Sequence, residues 1–149
     1  MSDQFDATQD MRGMMDYMDS TENDTSDSSL LEFVEDCIFL ESLSHHWHLQ
    51  CRLYSKHMEL DELYKEIGEY VDSFIEGLMS TRGALQVGPP KAYTFLPLED
   101  CVPVLESYVQ TAKHIHNLLD AEDDYGSVNS IEDIISFLER TLYKLKVLQ

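Results

Sequence analysis

The sequence predicts an all-α protein, a bundle of four amphipathic helices with one long connection between the second and the third. Three observations lead there. Apolar residues recur at intervals of three and four in four separate stretches, the period of a helix with one buried face. No stretch alternates apolar and polar residues as a half-buried strand would. Helix-breaking residues crowd between the second and third stretches, where 80–97 hold Gly83, Gly88, Pro89, Pro90 and Pro97.

Residues 1–28 come first and carry eight acidic residues against one Arg. They are rich in Asp, Ser and Thr, and the reading is an acidic, largely disordered tail. Within it Met11, Met14, Met15 and Met18 fall at helical spacing, which suits a short adaptable helix that docks on a partner or a neighbouring subunit. The bundle then occupies 29–149. Its first helix should start near Ser28 or Ser29, either of which can serve as N-cap, with Glu32 in the first turn. Leu30, Phe33, Cys37, Leu40, Ser44 and Trp47 make its core stripe, and it ends near His48 or Gln50.

The second helix is expected from Tyr54 to Met79, with Leu60, Tyr64, Ile67, Val71, Phe74 and Leu78 inward. At about 100° per residue, Asp61, Asp72 and Glu76 lie roughly 100–160° off that stripe and so flank the core. Gly68 is near the same side, where a small residue lets another backbone approach. The third helix spans about 98–122, with Leu105, Val109, Ala112, His116 and Leu119 on one face. His116 reads as an interior histidine. Pro103 is tolerable only in the opening turns. The turn AEDDYGSVNS, with Gly126, precedes a fourth helix capped by Asn129 with Glu132 or by Ser130 with Asp133. Its stripe is Ile131, Ile134, Ile135, Leu138, Leu142 and Leu145.

Charge narrows the function. Across 149 residues, Asp plus Glu number 29 and Lys plus Arg 10, a net charge of −19. That argues against gripping a nucleic-acid backbone or an anionic membrane. It favours cations or a basic protein partner. Cys37, Cys51 and Cys101 form no C-x-x-C pair, which suits free thiols in a reducing cytoplasm. No apolar run approaches the roughly 20 residues of a membrane span.

The chemistry-bearing residues concentrate between His45 and Glu76. His45, His46, His48 and His57 are four of the six histidines. His57 and Asp61 are one helical turn apart, and so are Asp72 and Glu76. Nitrogen and carboxylate donors on one face can form a metal site. His57 and Asp72 are 15 residues apart, or about 22 Å along one helix. One ion therefore cannot be held by both within a single chain. If they share an ion, a second copy supplies half of the site across a two-fold axis.

Those residues resemble the miniature ferritins known as Dps, over about 30–149. In that family a His-Trp near the end of the first helix is followed by His, Asp, Asp and Glu at set offsets. Counted from His45, the offsets fall on His57, Asp61, Asp72 and Glu76. The segments LDELYKEIGEYVDSFIEGL and SIEDIISFLERTLYKLKVL look like that family's second and fourth helices. Here Trp47 lies two residues after His45. HLQCRLYSKH, beginning at His48, is similar to a motif, H-x-Q-T-K-S-Y-A-x-H, of uncharacterised tailed-phage proteins. Either His45 or His48 is then the first ligand.

The resemblance implies a ferritin-like bundle that binds iron. It implies a ferroxidase site with histidines from one chain and acids from its two-fold mate, in a homo-oligomeric shell of roughly a dozen subunits. The metal ligands so implied are His45, His48, His57, Asp61, Asp72 and Glu76. The acidic tail replaces the basic one of DNA-binding members, so nucleic acid is not an expected partner. The alternative is a non-catalytic acidic bundle, phage-encoded, that binds a basic protein as a DNA mimic, anti-defence factor or virion component. The expected location is the cytoplasm of a bacterial host, or a virion.

Overall fold

The computed structural model describes the backbone of residues 7–148 and the side chains of 27–148. Among these residues the chain is all-helical: α1 Ala7–Gln50, α2 Tyr54–Arg82, a 3-10 turn Leu98–Asp100, α3 Cys101–Ala121 and α4 Tyr125–Val147. No described helix is long and apolar enough to cross a membrane.

The expected stripes are buried except at Tyr64, His116 and Ile135, which are half-buried. Leu30, Phe33, Cys37, Leu40, Ser44 and Trp47 of α1 are buried against Leu60, Ile67, Val71, Phe74 and Leu78 of α2. Fully burying each large aliphatic or aromatic side chain contributes roughly 1.5–3 kcal/mol. The hydroxyl of Ser44, buried in that stripe, donates to Leu40 O at 2.7 Å, so it costs the core no unpaired polar atom.

Polar contacts give the direction of each helix. Arg82, at the end of α2, meets Asp27 of α1 and both Glu122 and Asp124 beyond α3. Lys144, late in α4, lies 3.5 Å from Glu59, early in α2. The ends of α2 and α3 therefore lie together, and α4 runs back against α2. Helices α1 and α2 pack together, as do α3 and α4, α2 and α4, and α1 and α3. Each of these neighbouring pairs is antiparallel.

That arrangement requires residues 83–97 to return the length of the bundle, and they do so along α1. Lys91 Nζ donates to Glu32 and Asp36 at 2.9 and 2.8 Å. The ring of Phe39 packs on Tyr93 and Phe95. Trp47 Nε1–H donates to Leu96 O at 2.8 Å, and Leu98 N–H to Gln50 Oε1 at 3.1 Å. Gly83, at φ 81°, turns the chain out of α2, a conformation that an L side chain would resist.

Several expectations are corrected. The first helix does not begin near Ser28 or Ser29: α1 runs from Ala7. The stretch 7–28 holds no Pro, and once 29–50 are helical each added residue gains a hydrogen bond without a new nucleus. The docking expected of Met11, Met14, Met15 and Met18 concerns side chains outside the described residues. The cap of α4 is Asp124, whose side chain accepts from Ser127 N–H at 3.2 Å, rather than Asn129 or Ser130. Gly126 lies inside α4. The residue in left-handed backbone at the turn is Asp123, φ 57°, a position that Asp tolerates.

His116 is not interior. It sits at the bundle edge with Nε2 2.9 Å from Glu132 Oε1, and Ile115 fills the core position. The hydrogen bond to Glu132 raises the His116 pKa above its usual value. What lies over Gly68 is the Glu41 carboxylate, not a backbone.

Candidate metal-binding corner

At its C-terminal end α1 runs straight into a three-residue turn. Cys51 N–H closes it on Trp47 O at 3.1 Å and His48 O at 3.3 Å, and α2 opens with His57 N–H on Leu53 O at 2.8 Å. The turn sets His48 and His57 face to face across the hairpin, their ring centroids 3.7 Å apart.

The two rings are interlocked. His48 Nδ1 lies 2.9 Å from His57 O, and His57 Nδ1 lies 2.9 Å from His48 O. A carbonyl oxygen only accepts, so each Nδ1 must carry the proton. The neutral form of each ring then holds its lone pair on Nε2. A metal-ligating histidine typically has its other nitrogen donating to a backbone carbonyl in this way. His48 is 9 % exposed, so its ring is held by packing as well as by the bond.

The acid nearest these rings is Asp61, one turn after His57. Its Oδ1 lies 3.6 Å from His48 Nε2, and its Oδ2 takes Lys65 Nζ at 2.8 Å. The Lys65 hydrogen bond, aided by the Lys65 charge and both imidazoles, holds the Asp61 carboxyl below its usual range. It is therefore ionised at neutral pH.

The structure separates the six expected ligands into three groups. His48, His57 and Asp61 come together. His45 is close by but exposed, lying flat on Tyr64 with centroids 4.2 Å apart and 6.3 Å from the His48 ring. Asp72 and Glu76 are exposed further along α2, with Asp72 about 22 Å of helix beyond His57. Among the described residues no group of three or more His, Cys, Asp and Glu is arranged to hold a metal ion. One chain thus offers two imidazole nitrogens and a neighbouring carboxylate, and no closed ligand set.

Two members of the corner escaped the sequence reading. Tyr64, expected in the core stripe, is half-buried and serves as the platform between His45 and His48. Lys65 balances Asp61; its only signal was the four-residue spacing. His46 turns away from the corner, stacking on Phe95 of the long connection with centroids 4.7 Å apart.

No curated protein and no solved structure matches the chain. One family does match, over residues 48–145, well over half the length, and it is described as a family of unknown function (DUF5856). The matched span begins at His48 and takes in His57, Asp61, Asp72 and Glu76, while His45 falls outside it. The chain belongs to this family of unknown function.

Proposed function

We propose that the corner binds Fe(II) as one half of a site that Asp72 and Glu76 of a second copy complete. The protein would then be a ferritin-like, Dps-type oxidoreductase that oxidises Fe(II) and stores Fe(III) within a closed homo-oligomer. The observation that carries this reading is the reciprocal bonding of His48 and His57, which keeps both Nε2 lone pairs available. Helix directions support it. Four helices, antiparallel between neighbours, with one full-length crossover, are the connectivity of ferritin-like bundles.

Iron is the substrate here, and the donors fit a mixed nitrogen and oxygen site. His48 and His57 bind through Nε2, and Asp61 holds negative charge beside them. His48 takes the place of first ligand that the sequence left open between it and His45. Oxygen or peroxide accepts the electrons. With peroxide, two Fe(II) give one electron each and two protons are taken up, leaving two waters. Anaerobic Fe(II) titration, native mass and oxidation rate test the reading in wild type, His57→Ala and Glu76→Ala. Saturable binding and oxidation, lost in both variants, are expected. Equal, near-background oxidation in all three would remove it.

A second reading has its own observation. Glu66, Glu69 and Asp133 line a groove of about 330 Å³ between α2 and α4 with Tyr70, Ser73 and Ser130, on a chain of net charge −19. An acidic binder of a basic protein would use such a face. It predicts capture of a basic partner from host lysate that is lost in about 0.5 M salt, where charge attraction is screened. Recovery of no basic protein at low salt would end it.

A further inference from the structure

The end of the α1–α2 hairpin departs from the rest of the surface in charge and in polarity. Asp and Glu number 29 in the chain, yet residues 42–58 contain neither, while Arg52 and Lys56 both fall there. Among the described residues neither of these two forms an ion pair. Large apolar side chains stand out of the same tip: Leu49 is 69 % exposed, Leu53 55 %, Tyr54 75 % and Met58 45 %. Tyr54 and Met58 share a face of α2, one turn apart. Exposed apolar residues gathered in one place mark a binding surface, where single scattered ones do not.

The complementary feature lies at the opposite end of the longest helix. DMRGMMDYMD, residues 10–19, puts Met11, Met14, Met15 and Met18 at intervals of three and four, among Asp10, Asp16 and Asp19. Methionine adapts to an irregular apolar surface, and a helix with apolar residues at that spacing is a common docking element. Its charge is opposite to that of the tip. Within one chain the two cannot meet. Helix α1 is continuous from Ala7 to Gln50, and 31 residues separate Met18 from Leu49, about 46 Å of helix. A bilayer is the less favoured occupant, because Glu59 and Glu62 follow close behind the tip and a net charge of −19 repels an anionic surface. A segment at the far end of a long helix brings only its own acids to the tip.

We propose that the tip formed by Leu49, Arg52, Leu53, Tyr54, Lys56 and Met58 binds the acidic, methionine-bearing segment 10–19 of a second copy. The two surfaces differ, so the contact is head to tail, and its repetition builds a ring or a filament. Burial of the methionines on the apolar side chains of the tip drives association. Arg52 and Lys56, set against Asp10, Asp16 and Asp19, fix its register. No metal takes part, so the contact stands apart from the iron reading.

The test is carbodiimide cross-linking of the metal-free, full-length protein, which joins an amine to a carboxylate in contact, on an equal mixture of unlabelled and isotope-labelled chains. The expected product is a peptide pair joining Lys56 to Asp10, Asp16 or Asp19, including pairs with one labelled and one unlabelled member. Leu53→Asp with Tyr54→Asp, and separately Met14→Asp with Met15→Asp, should each lose that pair and lower the native mass. Mixing the two variants should restore it, with Lys56 always from the methionine variant, in a complex that grows no further. Three outcomes overturn the proposal: pairs of a single isotope only, no link from Lys56 into 10–19, or flotation with phosphatidylserine vesicles that the tip variant loses and the methionine variant keeps. The wild-type cross-link decides the matter even where a variant fails to fold.

Discussion

The interlock of His48 and His57 supports a prediction in which stability and metal binding separate. Replacing His57 by Ala removes the Nδ1–H donor to His48 O and the ring stacked 3.7 Å from His48. The hydrogen bond contributes about 1 kcal/mol, and the ring contact about 0.5–1.5 kcal/mol. His48 O is not orphaned, since Cys51 N–H still reaches it at 3.3 Å, which keeps the cost from rising further. A loss of about 1.5–2.5 kcal/mol lowers Tm by roughly 3–10 °C in a chain of this size.

Calorimetry with and without anaerobic Fe(II) supplies the second readout. A ligand at 100 times its Kd stabilises by about 2.7 kcal/mol, or roughly 5–10 °C here. Wild type should show that rise, and His57→Ala should show none. The variant Asp72→Asn with Glu76→Gln changes exposed residues only, so its metal-free stability should stay within about 0.5 kcal/mol of wild type. Its metal-dependent rise should nevertheless vanish. An unchanged melting curve for His57→Ala would refute the interlock. A full metal response in the Asp72/Glu76 variant would refute the shared pocket.

Three further outcomes test the fold around the corner. Trp47→Phe deletes the 2.8 Å bond to Leu96 O and leaves a gap at a fully buried position, so the loss of the bond and of packing should destabilise the fold to urea by about 1–3 kcal/mol; an unshifted midpoint would mean the crossover is not held there. Gly68→Ala brings a Cβ within 3.1 Å of Glu41 Oε2, the far end of an exposed side chain that can swing aside. The gain in helix propensity should then stabilise by about 0.5–1 kcal/mol, and a lower Tm would show the carboxylate to be fixed. For His116 the pKa is raised by Glu132, so the pair's stabilisation is complete below the unfolded value of about 6.5 and fades as pH climbs through the higher folded value. With Glu132 57 % exposed, the difference between wild type and His116→Gln should be under about 1 kcal/mol at acidic pH and absent in mild alkali; a difference that grew with pH would contradict the assignment.

Helix content was readable because burial of one face imposes a 3.6-residue rhythm, and Leu30 through Trp47 keep it without a break. The rhythm is coarse at the level of single residues. On α3 it admits His116 as readily as Ile115, and only the positions of α1 and α4 around α3 place Ile115 inward. The turn into α4 was misread for a related reason. Gly126 is the expected turn residue, but Asp123 adopts the left-handed conformation and Asp124 supplies the cap, so the glycine is absorbed into the helix.

By itself the sequence determined four amphipathic helices, their stripes, a breaker-rich link between the second and third, an acidic surface, and the distance that keeps His57 and Asp72 from sharing an ion within one chain. These follow from composition, from local spacing and from helix rise, all properties of neighbours along the chain. The tertiary structure decided which histidine faces His57. At about 100° per residue, His45 and His48 point only some 60° apart, too little for spacing to choose. Packing of α1 against α2 made the choice: Tyr64 captures the exposed His45 ring, and the backbone carbonyls of the hairpin lock the buried His48 ring onto His57.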